Sequence, residues 1–229
     1  MRLSIEAEAL ASYVAQQVSV FFPDNPVEVA DLLSFVNKSL DRVEACFSPI
    51  RLPYYFEDGS TAFDHHNTDH YACFLYYLSN TLFRESGDPN LTKRVYALNK
   101  LLHSLDIFYE IEMPDVFVLA HPVGTVLGRA RYGNYLCVYQ GCTVGANTDG
   151  VYPTLGEGIV MYPGSQVVGD CRIGDNCWIA SNALVMDTNV PSDSIAIGQP
   201  PNFEIKPSRL DVRQWLLNGA HSKIPERKP

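Results

Sequence analysis

Apolar side chains recur every six residues through the C-terminal part of the chain. Val126, Tyr132, Val138 and Val144 keep the count, and after one interruption Leu155, Met161, Val167, Ile173, Ile179 and Val185 resume it without a slip. A helix returns to one face after about 3.6 residues and a strand after two, so neither element produces this period. A three-sided coil of short parallel strands does produce it, because every side adds one inward residue to a stack. The position two before each of these residues holds Gly124, Ala130, Cys142, Pro153, Ser165, Cys171, Cys177 and Ala183, small side chains suited to tight corners. Leu136 and Ile159 are the exceptions.

The preceding residues carry helical spacing instead. Residues 27–40 place Val29, Leu32, Leu33, Val36 and Leu40 on one face, after Asn25-Pro26, a helix-start signal. Residues 71–83 are apolar and aromatic and read as a buried helix or a strand. Gly87-Asp88-Pro89 marks a turn, and residues 91–105 resume helical spacing at Val95, Leu98, Leu101, Leu102 and Leu105. Residues 48–64, with Pro49, Pro53, Asp58 and Gly59, read as a loop. Composition shifts to Gly, Val, Ile and Asn at about Asp106. The expected organisation is an α+β chain: a helical domain over 1–105, a β-coil domain over 106–202, and a tail over 203–229. Within that tail, residues 209–217 form a short closing helix containing Trp215. The interruption from Val144 to Leu155 is 11 residues where two steps need 12, and it carries Gly145, Asn147, Asp149 and Gly150. Irregular segments on a rigid scaffold often carry function.

Charge narrows the partners. The 229-residue chain has a formal net charge of −9, which disfavours nucleic acid as a partner. No apolar run approaches the roughly 18 residues of a membrane span, so no membrane partner is expected. The start, Met1-Arg2-Leu3-Ser4-Ile5-Glu6, lacks the basic-then-apolar layout of a secretory signal, and the expectation is a cytoplasmic protein. The six cysteines form no CxxC pair, which argues against zinc. Three of them, Cys142, Cys171 and Cys177, sit at the small-residue position as compact hydrophobes, and all six read as reduced.

Residues 119–202 resemble the hexapeptide-repeat acyltransferases, the serine acetyltransferase branch above all. The segments LAHPVGTVLGRA, YQGCTVGAN, YPTLGEGIVMYPGSQVVGDCRIGDNCWIASNALVM and VPSDSIAIGQPP carry the resemblance. It implies a left-handed parallel β-helix of about three turns behind an N-terminal α-helical domain, against the usual right-handed crossover rule. It also implies acetyl-CoA as acyl donor, a small-molecule hydroxyl acceptor, no metal, and a homotrimer or a dimer of trimers.

The resemblance places the catalytic histidine at His121, and Asp106 stands at the family spacing of its partner carboxylate, fifteen residues upstream. Removing a proton from an attacking hydroxyl suits an imidazole, which titrates near neutral pH and works best when a carboxylate fixes its tautomer. Three positions depart from the family. Ala120 stands where an aspartate precedes the histidine, Val151-Tyr152-Pro153 replaces Arg-His-Pro, and Tyr162 replaces a small residue. An acceptor carboxylate then lacks its charged partner, which leaves open serine, a sugar hydroxyl stacked on Tyr152, or another small alcohol. Tyr152 and Tyr162 also read as plain cover for the coil exterior.

Asp64, within Asp64-His65-His66-Asn67-Thr68-Asp69-His70, is the counterpart of an acceptor-binding aspartate, a polar loop being the other reading. The resemblance assigns coenzyme A to Gly145, Ala146, Asn147, Gly164, Ser165 and Ala183, with a main-chain N–H near Gly145 or Ala146 as oxyanion donor. Three other readings stand beside this one. They are a scaffold that kept the coil and lost catalysis, a covalent route through Cys142 or Cys137, and a metal-dependent hydratase. The last needs a histidine triad, and His121 is alone in the coil region. Residues 226–229 lack the terminal isoleucine with which the family docks a cysteine-synthesis enzyme, so that complex is not expected.

Overall fold

The computed structural model describes residues 1–219. A short strand β1 (Arg2–Leu3) leads into helices α1 (Ala7–Phe21) and α2 (Val29–Phe47). Then come β2 (Phe56–Glu57), β3 (Ser60–Phe63), α3 (Thr68–Glu85) and α4 (Pro89–His103). The apolar run 71–83 is helical: α3 is buried from His70 to Leu82 on all sides, which is why its sequence shows no polar stripe. Asn67 starts it by accepting from the Asp69 and His70 N–H groups, and Asp88 does the same for α4 from Asn90 and Leu91, with Pro89 in the first turn. Part of the expected loop 48–64 is a small sheet in which β3 pairs parallel with β1 and antiparallel with β2. Its strands are too short to leave an alternation in the sequence.

From Asp106 the chain winds as a parallel β-solenoid. The first coil carries β4 (Asp106–Ile107) and β5 (Phe117–Leu119), and the second β6 (Val126–Leu127), β7 (Arg131–Tyr132) and β8 (Leu136–Val138). The third carries β9 (Thr143–Gly145), β10 (Thr154–Leu155) and β11 (Ile159–Met161). The fourth carries β12 (Gln166–Val168), β13 (Arg172–Ile173) and β14 (Cys177–Ile179). β15 (Leu184–Met186) and β16 (Ser194–Ile197) begin a fifth, closed by the antiparallel β17 (Glu204–Pro207) and by α5 (Val212–Asn218). Three sheets form the faces: β17-β16-β14-β11-β8-β5, β15-β12-β9-β6-β4 and β13-β10-β7. The solenoid therefore runs beyond the three turns expected from the hexads. It is consistent with the left-handed β-helix of hexapeptide repeats.

The register explains and corrects the six-residue pattern. Val138, Val144, Leu155, Met161, Val167, Ile173, Ile179 and Val185 are buried inside the coil. Val126 is not: it is 41% exposed, and its neighbour Leu127 is the residue stacked on Val144. The interruption is also different in kind. Leu155 pairs with Tyr132 and Val144 with Val167, so Val144 to Leu155 is one step around the coil. Eleven residues in place of six make it a five-residue insertion, and the 23 residues from Cys137 to its partner Val160 compare with 18 from Ile159 to Cys177. The inward stack also continues past Val185, after a step of five residues, where Val190 bridges to Ile173 and Ala196 pairs with Ile179.

Corners are built from small or left-handed residues and from side chains that take the N–H groups the turns leave over. Asp175 accepts from the Glu157 N–H, Asn189 from Arg172 and Ser192 from Asp175. All six cysteines are buried and free. Burial pushes the Cys142 and Cys137 thiols up, the wrong direction for a nucleophile. The buried side chains of helices and solenoid form one continuous cluster. Among the described residues no helix is long and apolar enough to cross a membrane. Residues 226–229, on which the docking-tail reading rests, lie outside the described residues.

Candidate active site

His121 stands where β5 ends and the chain turns the corner from the first coil into the second. Leu119 pairs with Val138, the Ala120 N–H donates to the Val138 carbonyl at 2.8 Å, and the next residue leaves the sheet. His121 adopts φ +51°, a left-handed conformation that a residue with a Cβ takes only when its surroundings impose it. One of those surroundings is Asp69, the second residue of α3. The His121 main-chain N–H donates to Asp69 Oδ2 at 3.1 Å, and His121 Nδ1 lies 3.7 Å from the same oxygen. The histidine side chain is 79% exposed and the aspartate 15%. Burial raises the Asp69 carboxyl above its usual range, opposed by the His121 N–H and the nearby ring. Asp69 Oδ1 is buried with no hydrogen-bond partner among the described residues.

The structure does not bring Asp106 to His121. Asp106 lies on β4 opposite Val126, beneath α4, where Oδ1 accepts from Tyr96 Oη and Oδ2 from Lys100 Nζ, each at 2.6 Å. Against the upward push of burial, the Lys100 and Tyr96 hydrogen bonds hold this carboxyl below the usual range. Among the described residues, Asp69 is the carboxylate within 4.0 Å of a His121 ring nitrogen. No local pattern announces this contact, because it spans 52 residues and depends on how α3 docks against the coil.

The residues assigned to coenzyme A fall on two corners. Gly164, Ser165 and Ala183 belong to the corner that His121 opens, where Gly124, Gly141, Gly164 and Asn182 repeat the left-handed turn coil by coil. Gly145, Ala146, Asn147 and Tyr152 belong to the next corner, one short strand or about 10 Å further on. Most of their main-chain donors are already used. Gly164 N–H donates to Gln140, Ser165 to Tyr162, Ala183 to Ala180 and Asn147 to Val151. Ser165 and Ala183 turn their side chains into the buried interior. The Ala146 N–H takes no partner among the described residues, as an oxyanion donor requires. Asn147 orders the inserted loop: its Oδ1 accepts from the Asp149 and Val151 N–H groups and its Nδ2 donates to Asp187 at 2.9 Å.

Tyr152 is 39% exposed and its ring leans on Gly128, where a Cβ would lie 3.0 Å from its Cε1. Tyr139 and Tyr162 follow the paired Val138 and Met161 and so lie in register with Ala120; Tyr162 stacks on Tyr139 at a ring distance of 5.5 Å and reaches the buried Trp178, two residues back in register, at 5.7 Å. The sequence reading missed this stack, although Tyr139 and Tyr162 both directly follow an inward residue. Asp64 lines a cavity of about 280 Å³ with Arg2, Tyr54, Asn67 and His70. Its Oδ1 accepts from the His66 N–H, its own N–H donates to His70 Nδ1 at 3.2 Å, and it bonds to neither His121 nor Asp69. Asp64, His65 and His66 do bring ligating atoms within 4.8 Å of one another. Two of the three side chains already have structural partners: His65 Nδ1 is engaged with Ser4 Oγ at 2.8 Å, and Asp64 Oδ1 closes the turn on the His66 N–H.

The chain is 30% identical over 142 residues to a protein of Synechococcus elongatus, a match covering 60% of this chain and 56% of that protein. It is 33% identical over 112 residues to one of Helicobacter pylori, covering 47% and 65%. Both relatives are serine acetyltransferases. The chain thus spans less than two thirds of the length of these curated relatives. No family model matches it. Among solved structures it resembles serine acetyltransferase of Vibrio cholerae with a TM-score of 0.71, 16% identity and coverage of 91% and 82% of the two chains. The Neisseria gonorrhoeae serine acetyltransferase in complex with serine gives 0.67 at 21% identity, covering 89% and 84%. These likenesses fix the architecture, helices followed by parallel solenoid.

Proposed function

We propose that this chain is an acetyl-CoA-dependent O-acetyltransferase of the serine acetyltransferase type, acting on the hydroxyl of a small acceptor. The observation that carries the reading is His121: an exposed imidazole at a solenoid corner, held in a left-handed turn beside a largely buried carboxylate. In the reaction the acceptor O–H gives its proton to the imidazole as its oxygen attacks the thioester carbonyl. The tetrahedral intermediate, its oxyanion met by the Ala146 N–H, expels the coenzyme A thiolate, which takes the proton back from the imidazolium. Atoms and charge balance, and no covalent enzyme intermediate is needed.

The division of candidate residues between two corners supports assembly. A threefold arrangement of solenoids would set the 145–152 loop of one copy across from His121 of the next. Val123, Val126 and Met186, each at least 41% exposed, offer apolar surface for that seam. Serine is the acceptor named for the relatives. The loss of a charged pair at Val151-Tyr152 and the ring at Tyr152 favour an acceptor without a free carboxylate, a sugar hydroxyl among them. A scaffold without catalysis is the alternative reading, favoured by the alanine at 120. Thiol release from acetyl-CoA, measured with serine and with a panel of sugars, separates the two. Acceptor-dependent release, lowered at least about 100-fold in His121→Ala, is expected. Absence of release with every acceptor, together with no coenzyme A binding, supports the scaffold.

A further inference from the structure

We infer that Asp69, reaching out of the helical region, is the positioning residue for His121 in place of Asp106; this rests on the acetyl-transfer reading above. Two contacts meet on one oxygen. Asp69 Oδ2 accepts the His121 main-chain N–H at 3.1 Å, which pins the left-handed turn, and stands 3.7 Å from Nδ1, which places negative charge behind the ring. With Nδ1 as the protonated nitrogen facing the carboxylate, Nε2 is left unprotonated and exposed to take the acceptor's proton. The 3.7 Å gap closes by rotation of an exposed ring, the kind of adjustment catalytic pairs make when substrate arrives.

Other carboxylates are excluded one by one. Position 120 is alanine, so none directly precedes the histidine. Asp106 has both oxygens engaged, by Tyr96 and by Lys100. Asp64 is turned to His66. Asp69, by contrast, keeps Oδ1 buried and without a partner, and its side chain is shielded from water that would screen its charge. A buried carboxylate left short of hydrogen bonds is costly and gains most when an imidazolium forms next to it. The helix N-terminus beneath Asp69 favours the same anion. The consequence is structural as well as chemical: the base sits on the solenoid and its carboxylate on α3, so the site exists only when the two parts are docked.

The test compares Asp69→Asn and Asp106→Asn in the full-length protein, using the acceptor that gives release with the parent. Asparagine at 69 retains an oxygen for the His121 N–H and removes only the charge. For Asp69→Asn, kcat falls about 10–100-fold while the acceptor KM changes less than about threefold. An unchanged kcat in Asp69→Asn overturns the assignment, and an effect confined to Asp106→Asn returns the role to that residue. An active His121→Ala variant is a different result, since it removes the general-base reading itself.

Discussion

Asp69 and His121 are joined by a hydrogen bond of 3.1 Å from the main chain of one to the carboxylate of the other, across 52 residues of sequence. The bond fastens the first turn of α3 to the corner that closes the first coil of the solenoid. Beside it, Tyr55 Oη donates to the Leu119 carbonyl and Cys46 Sγ contacts the Phe117 carbonyl, so α3, α2 and the turn before β2 hold β5 and the corner after it. The candidate base is therefore exposed at its ring and fixed at its main chain, a combination that a free surface histidine lacks.

Acid weakens the fold through two buried histidines. Burial pushes His70 and His103 down to about 4, from an ordinary value near 6.5. Between those values the unfolded chain holds protons that the folded chain does not, so stability is full above about pH 6.5 and is lost as the pH falls toward 4. Each histidine contributes on the order of 3 kcal/mol to that loss. Urea unfolding at pH 7 and pH 4.5 measures it, and a double variant His70→Gln, His103→Gln loses at least about 2 kcal/mol less over that interval. An equal loss in parent and variant would assign the acid sensitivity to other groups.

Close stacking of the coils forbids a side chain at Gly133. A Cβ there would lie 2.4 Å from the Gly156 carbonyl oxygen, main chain that cannot step aside without opening the ladder. Gly133→Ala therefore destabilises by roughly 2 kcal/mol or more, while Gly145→Ala, whose Cβ meets nothing nearer than 3.8 Å, changes stability far less. Thermal or urea unfolding of the two variants decides this; similar midpoints contradict the stacking argument.

The inserted loop is dispensable for folding and needed for function. Deleting residues 147–151 restores six residues from Val144 to Leu155, the same step that Val167 to Ile173 makes on the coil above. The deletion variant keeps a native far-UV dichroism spectrum and one cooperative unfolding transition, and it loses acyl transfer with Asn147. A variant that fails to fold shows instead that the loop, through the Asn147–Asp187 bond, is part of the coil.

The sequence by itself determined the solenoid. A period of six is local information: it needs only that each inward residue be apolar and each corner small, and Val138 to Val185 meet that condition side by side. It also located α2, α4 and α5 to within a few residues at most positions, through amphipathic spacing and turn signals; α2 extends to Phe47, beyond the expected end at 40. Burial on every side is why the strand reading of 71–83 could not be dismissed before the fold was known. The choice of Leu127 over Val126 as the stacked residue needed the strand register, since two adjacent apolar residues satisfy the pattern equally. The nature of the interruption also needed it, because 11 residues lie near both one long step and two short ones. The carboxylate beside His121 was decided by tertiary structure alone. Fifteen residues of spacing put Asp106 in reach of α4 rather than of the imidazole. Docking of α3 brings in Asp69, and a contact between two separately folded elements leaves no period in the chain for a reader to count.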